Sequence, residues 1–524
     1  MCRSIAEAVL AHGRKQPGKL AVADPERTYS YGELAKAAVI AAGVLHDRSV
    51  ERGDYVLVEC TQKAEFLILD LACELLGAVF VPLEKKMTES RVRSIYQDTG
   101  AKCVISETDY AAVGVSYGIA QIMEDVGERY GQGTDTVKEP FDRGMEIAGR
   151  QSGKRSDTGP EMLENGESAG PSKDSLAEIL FTTGTTGQPK GIMISHRANL
   201  AIAENISCGT KMSEDTVELI PMPLSHSHGL RTCYANLLNG SAVVIVDGVM
   251  NIALLFRLID ELQVNALDIS PTLAKLLLKI ARKGLAKCSE RMDYIEIGTA
   301  FLDDELKAQL KALFPSTRLY NFYGSTEAGR SCVLDFNEMD FSGCIGYPSK
   351  NASFLIVDDE RRPIESSKEN PGLVAVSGSM MMDGYFGSEE LTRATLVDGV
   401  LYTSDLGYID EAGRVYVLGR RDDIINYKGI KIAPEEIETV AMQYADITDC
   451  ACVPVEDGVR GQVPKLFVSV RSGADYREKA LFDFLRAHLE ATRVPVYIEA
   501  IDEIPRSSNG KLQRKRLREN EATK

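Results

Sequence analysis

The sequence predicts an α/β protein: a large N-terminal domain with αβ-layered sheets and an antiparallel appendage, followed by a small α+β C-terminal domain. Three observations predict it. Helical and strand patterns alternate from residue 30 to 127, short strands and turns replace them after residue 340, and a self-contained set of helices and strands follows "GRRDD". With 524 residues, 44% of them hydrophobic, the chain can bury a large core and form more than one folding unit. The division falls near residue 421, giving domains 1–421 and 422–524.

Each element has its own signal. "SYGELAKAAVIAAGVLHD" is amphipathic and rich in small residues, "DYVLVEC" is a strand pattern, and "KAEFLILDLACELLGAVFVPL" is a helix running into another strand. Such alternation predicts a parallel sheet covered by helices on both faces, with ligands at the strand ends. From about 130 to 175 apolar residues become scarce, which predicts an exposed linker; no domain boundary is placed there because the αβ pattern resumes at "LAEILF". In "DISPTLAKLLLKIARKG", Ser270 is the expected N-cap and Pro271 the first helical residue, and "DDELKAQLKALFP" is a second amphipathic helix stopped by Pro315. "SFLIVDDERRPI", "GLVAVSGS" and "GRVYVLGRRDD" supply the antiparallel strands. In the last unit a helix led by Pro434 is followed by the strands "CACVPV" and "KLFVSV" and the helix "YREKALFDFLRAHL".

Composition excludes several classes. A net charge of -17 repels nucleic acid and anionic lipid, and the basic tail after Pro505 lacks interleaved aromatics, so no nucleic-acid partner is expected. No run of eighteen apolar residues exists, so no membrane-spanning segment is expected, and the amino terminus lacks a signal-peptide pattern. The eleven cysteines are scattered; Cys450 and Cys452 alternate on one face of a strand, as core thiols in a reducing, cytoplasmic setting would. His226 and His228 stand two apart, but no further Cys or His lies nearby to complete a zinc site.

The stretch "EILFTTGTTGQPKGIMISH" carries Thr182, Thr183, Gly184, Thr185, Thr186, Gly187 and Lys190 between two apolar runs. Glycines allow close backbone approach, hydroxyls and N–H groups donate to anionic oxygens, and Lys190 adds a mobile charge, so every part of a phosphate clamp is present. It is not a Walker A loop, since Gln188 and Pro189 follow Gly187 and a β-type run comes next. A hairpin is the expected geometry, and a Thr-rich surface turn is the plainer alternative.

This stretch resembles the phosphate-loop signature of the adenylate-forming superfamily, which includes acyl-CoA synthetases, luciferases and amino-acid adenylation domains. Other signatures follow in order. "MPLSHSHGL" resembles the second, with its histidine at His226, and "YNFYGSTEAG" resembles the third, implying Tyr323 near adenine, Thr326 at the α-phosphate and Glu327 on magnesium. "LYTSDLG" implies Asp405 on the ribose, and "GRRDDIINYKGIKIAPEEIE" implies Arg420 at the ribose, Asp422 as the hinge of a mobile C-terminal domain and Gly429 beside the pantetheine path. "IPRSSNGKLQRKRLR" makes Lys511 the implied catalytic lysine, and the family precedent casts His226 in acyl-substrate binding or gating. The resemblance spans about residue 10 to 518.

It implies an ATP-dependent carboxylic acid:CoA ligase that uses ATP, Mg2+ and CoA. The acid is expected to be aliphatic (fatty) or aromatic. The alternative is a stand-alone adenylation enzyme that loads phosphopantetheine on a separate acyl carrier protein, with amino acids less expected because "LSHSHG" lacks an aspartate to pair with an amine. Three departures stand out: Ser225 replaces the usual aromatic, Asn426 stands where some relatives carry lysine, and Leu373 stands where glutamate commonly follows the glycine.

Overall fold

The computed structural model describes residues 2–110, 112–132, 171–183, 189–338, 341, 343–427, 430–457, 461–506 and 512–522. The α/β class holds. A seven-stranded sheet takes in strands Tyr55–Glu59, Val79–Leu83 and Cys103–Ser106, all parallel, and then the antiparallel hairpin Leu176–Thr183 and Pro189–Ser195. The larger sheet has a parallel half, which includes Val217–Ile220, Ala266–Ile269, Tyr294–Ile297 and Arg318–Ser325. From Gly329–Asp335 onward it continues as an antiparallel half, which includes Gly372–Gly378, Val400–Ile409 and Val415–Arg420.

Helices Ile5–Lys15, Tyr31–Asp47, Ala64–Leu76, His196–Gly209 and Ser227–Asn239 share one hydrophobic core with strands of both sheets, so they form a filling between them. This explains why Tyr31–Asp47 is rich in alanine: small side chains let it pack closely on Ala64–Leu76 while both faces stay dry. Ser30 starts it with a reciprocal capping box to Glu33, which satisfies two otherwise orphaned N–H groups. Helices Ile252–Glu261, Pro271–Ile280 and Asp304–Leu313 cover the outer face of the larger sheet. Ser270 caps Leu273 N–H with Pro271 behind it, as expected, and the Asp304–Leu313 helix ends just before Pro315.

The last strand of the large sheet ends at Arg420, and a five-stranded sheet begins at Ile425. Its core is made of residues from Ile425 onward, with Cys450 and Cys452 both buried in it as free thiols. Buried Arg514 ties this unit together, pairing with Glu435 at 2.8 Å and Glu438 at 2.7 Å. The helix Ile119–Gln132 takes up the first residues of the predicted linker, whose remainder lies mostly outside the described residues. Among the described residues no helix is long and apolar enough to cross a membrane.

Candidate functional site

A cleft of about 2990 Å³ opens at the carboxyl ends of the parallel strands and is closed on its far side by residues of the small sheet's unit, including Glu435 and Arg514. Loops that follow parallel strands gather there because βαβ connections leave their strand ends free. The loop after Val217–Ile220 is pinned from below: buried Gln62 donates to Met222 O at 2.7 Å and Val246 O at 3.2 Å, and accepts Leu224 N–H at 2.9 Å. Gly229 lets the next helix start hard against this loop, since a Cβ there would lie 2.8 Å from Met222 O. His226 is the N-cap residue of Ser227–Asn239 but makes no side-chain cap bond, and it lines the cleft. Burial lowers its pKa, which favours a neutral ring.

Two clusters form around predicted residues in this cleft. In the first, Tyr323 donates its hydroxyl to Asp405 Oδ2, and burial followed by the Asp405 charge raises the phenol's pKa well above normal. Asp405 and Arg420 face each other across the Val400–Ile409 and Val415–Arg420 pairing, with Nε and Oδ1 3.8 Å apart. In the second, Glu327 Oε1 accepts the Tyr385 hydroxyl at 3.0 Å, and Lys190 Nζ lies 5.7 Å above the Tyr385 ring. Burial and then Glu327 raise the Tyr385 phenol's pKa. Thr326 lines the cleft in the turn just before Glu327, a turn closed by Ala328 N–H donating to Ser325 Oγ at 3.2 Å. The glycine loop's flanks form the expected hairpin, pairing Thr182 with Lys190 and the backbone of Thr183 with Pro189.

Asp422 sits in the exposed turn between the large and small sheets, lining the same cleft. Beside it Arg421 N–H donates to Ser404 O at 2.7 Å and Asp423 pairs with Arg518 at 3.2 Å. Gly184, Thr185, Thr186, Gly187, Gly429 and Lys511 lie outside the described residues. Among the described residues no group of three or more His, Cys, Asp or Glu side chains is arranged to hold a metal ion. Glu327 therefore suits a magnesium ion only as one ligand among several oxygens supplied by a bound polyphosphate, which is how that ion is commonly held.

Sequence reasoning missed Tyr385 and a buried charged layer at the cleft's inner end. Asp268, Glu296 and Glu218 each interrupt a four-residue apolar strand, in "ALDI", "YIEI" and "VELI", and pairing aligns Asp268 with Glu296. Against them lies one stripe of the Ser227–Asn239 helix: His228 Nε2 meets Asp268 Oδ1 at 2.5 Å, Thr232 Oγ1 donates to Asp268 at 2.9 Å, and Asn236 Nδ2 donates to Glu218 at 2.6 Å. Positions i, i+4 and i+8 share a helix face, which makes the match possible. Arg330 inserts among them, bonding Glu296 Oε2 and donating to Thr232 Oγ1 at 2.5 Å. Burial would push the Asp268 pKa up, but the His228 and Arg330 charges outweigh it and hold it below normal. Glu218 goes the other way: burial, then Glu296 and Asp268, raise it well above the usual range. An acidic residue inside a short apolar strand was the signal available.

Comparison with known proteins gives a consistent result. Residues 9–386 match the model of the AMP-binding enzyme family, and residues 436–511 match that of the AMP-binding enzyme C-terminal domain. The chain is 26% identical over 517 residues to 4-coumarate--CoA ligase 3 of Arabidopsis thaliana, covering 95% of this chain and 88% of that one. It is 27% identical over 504 residues to 4-coumarate--CoA ligase 3 of Oryza sativa subsp. japonica, covering 94% and 87%. Among solved structures, ATP-bound MatB from Rhodopseudomonas palustris superposes with a TM-score of 0.80 at 24% identity over 98% of both chains. O-succinylbenzoate Coenzyme A synthetase (MenE) from Bacillus subtilis, in complex with ATP and magnesium ion, gives 0.80 at 23% identity over 98% of this chain and 99% of that one.

Proposed function

Because the chain belongs to the AMP-binding enzyme family, within the adenylate-forming superfamily, we propose that it is an ATP-dependent carboxylic acid:CoA ligase. The observation that carries this reading is the convergence of Tyr323, Asp405 and Arg420 with Glu327, Tyr385 and Lys190 in one cleft. The 4-coumarate--CoA ligase relatives favour an aromatic acid over a fatty one.

A carboxylate is a poor electrophile and hydroxide a poor leaving group, so transfer of AMP to the acid, with loss of pyrophosphate, makes a reactive mixed anhydride. Thiol attack on the anhydride carbonyl then releases AMP. The chain's own groups divide this work. Asp405 accepts from the ribose hydroxyls and Arg420 steadies that carboxylate, while Tyr323 flanks the adenine. Thr326 donates to the α-phosphate, Thr182, Thr183, Gly184, Thr185, Thr186, Gly187 and Lys190 enclose the β and γ phosphates, and Lys511 bridges the two anions that must meet. Glu327 would hold a magnesium ion as one of its ligands, and that ion would offset the triphosphate charge. His226, kept neutral by burial, shapes the wall beside the reacting carboxylate without adding a competing charge.

Residues 422–524 act in this reading as a mobile domain that pivots at Asp422, presents Lys511 for adenylation and then Gly429 for the thiol. The buried free thiols support a reducing, cytoplasmic setting. A stand-alone enzyme that loads a carrier protein uses the same first step, and the acceptor separates the two. The test is pyrophosphate release with ATP, magnesium and a panel of aliphatic, aromatic and amino acids, with and without CoA, with product masses recorded. Acyl-CoA from one acid is the expected result; acyl-AMP that accumulates and never passes to CoA would overturn CoA as acceptor.

A further inference from the structure

The chain crosses from the larger sheet to the small unit within residues 421–424, and both ends of that crossing are anchored. On the large side Arg421 N–H donates to Ser404 O at 2.7 Å, and the Arg421 guanidinium pairs with Asp359 at 2.9 Å. On the small side the anchor is the last helix, Arg514–Ala522. Its Leu517, 3% exposed, packs with Ala451, Val453, Phe467 and Ile504, and its Arg514 holds Glu435 and Glu438, so the helix belongs to the small unit. Arg518 reaches back from this helix to the crossing: Nη1 donates to Asp422 O, and Nη2 lies 3.2 Å from Asp423 Oδ1. One guanidinium thus grips two consecutive residues, which its planar fork does better than an ammonium on a flexible stem.

The place of that carbonyl in the chain decides what the grip can do. The peptide that links Asp422 to Asp423 is planar, so Asp422 O moves with everything that follows it when the chain turns about either backbone bond of Asp422. Arg518 therefore keeps its hold through such a turn. The bonds that a turn must break lie on the other side, where Asp423 N–H and Ile424 N–H both donate to Arg420 O at 2.9 Å. Once those open, only Arg518 prevents Asp423 from rotating as well and spreading the small unit over many orientations. We infer that Arg518 is a positioning residue: it fastens the Asp422–Asp423 peptide to the small unit, so that the two units turn about Asp422 alone and the small unit arrives in few orientations. This rests on the pivot in the ligase reading and adds the group that confines it. Freeing one residue's backbone corresponds to about 5- to 30-fold in population, so loss of Arg518 should dilute the productive orientations by that factor.

The experiment has a structural and a kinetic arm, each with the wild-type chain, Arg518→Ala and Arg518→Lys. In the first, spin labels are placed on Cys208, the exposed native thiol, and on Lys479→Cys in the small unit, with Cys2→Ser to avoid a third label. Pulsed dipolar spectroscopy then gives the distance distribution with and without a non-hydrolysable ATP analogue. In the second, pyrophosphate release and acyl transfer from preformed acyl-AMP to CoA are followed in single turnovers with 4-coumarate and the other acids of the panel, beside the Kd for ATP. The wild type is expected to give narrow peaks. Arg518→Ala should broaden them and slow both half-reactions about 5- to 30-fold while the Kd for ATP stays within about twofold, a split that general destabilisation would not produce. Arg518→Lys, which keeps the charge without the fork, should fall between. Peaks of unchanged width in Arg518→Ala overturn the proposal, as does broadening in an active enzyme whose half-reactions keep their wild-type rates. Broadened peaks in a chain that turns over no acid uphold the role of Arg518 at the pivot and overturn the ligase reading; turnover with peaks of unchanged width does the opposite.

Discussion

Asp405 is held on two sides, by the Tyr323 hydroxyl and by Arg420 across the strand pair, so its carboxylate is oriented before any nucleotide arrives. Hydrogen bonds to an ionised acceptor are worth about 1.5–3 kcal/mol, so Asp405→Ala should weaken ATP binding about 10- to 100-fold. Calorimetric titration checks this, and an unchanged affinity would count against the ribose contact. Lys511→Ala should act on a different quantity. If the lysine bridges carboxylate and α-phosphate as they react, its loss should lower acid-dependent pyrophosphate exchange about 100- to 1000-fold with little change in ATP affinity. A near-normal exchange rate would end that assignment. Asp405 and Lys511 were both named from ordered motifs. Tyr385, whose hydroxyl meets Glu327, was not, because a tyrosine between glycines in "DGYFG" carries no periodicity and no charge to mark it.

At the scale of elements, what was legible was what obeys a period or a punctuation rule. Ser270 and Pro271 start their helix, Pro434 starts another, and the run after Gln188 and Pro189 continues as a strand, each as local chemistry dictates. The charged layer under the Ser227–Asn239 helix was illegible, because Asp268, Glu296, Arg330 and His228 come from separate elements that only the sheet order brings together. That layer should be costly to break. Arg330→Ala leaves Glu296 and Asp268 without their shared cation, and loss of one partner from a buried ion pair costs about 3–5 kcal/mol. Equilibrium urea unfolding should register it, and a loss below about 1 kcal/mol would mean that water reaches the layer. A second buried carboxylate gives a pH signature. Burial raises the Glu438 pKa to about 7, against the opposing pull of Arg514 and the Cys452 N–H. The native state therefore keeps a proton that the unfolded chain releases near the ordinary value of 4.5. This contribution is complete below that value and is lost as pH rises through 7. Amide exchange across Ile447–Asp457, corrected for intrinsic rates, should show stronger protection at pH 5 than at pH 8. Glu438→Gln should flatten the difference, and a wild type with equal protection at both values would refute the shift.

At the scale of the molecule, the contact between the large sheet and the small unit is where the sequence departure at Leu373 acquires a meaning. Leu373 pairs with Leu406 in adjacent strands, and with Leu418 packs on a small apolar cluster of Leu406, Ile424 and Ala433. Ile424 and Ala433 come from the chain beyond the Asp422 turn, so the cluster joins one unit to the other. A glutamate at 373 would point a charge into that junction; leucine contributes apolar area to it instead. The junction is small, and polar contacts such as Asp423 with Arg518 lie beside it, so a modest penalty should be enough to shift the balance between arrangements. Leu373→Glu removes about half a leucine's worth of burial and adds a desolvation penalty, about 1–3 kcal/mol in all. That is sufficient to lower the population of this arrangement about 5- to 150-fold. The expected readouts are a larger radius of gyration by small-angle scattering and faster proteolysis at residues 421–424, with unchanged unfolding of the large sheets. If the arrangement serves one half-reaction, that half-reaction should slow while the other does not. Scattering, proteolysis and both half-reactions all unchanged would mean that the apolar cluster does not hold the two units together, and that Leu373 matters only to the strand in which it sits.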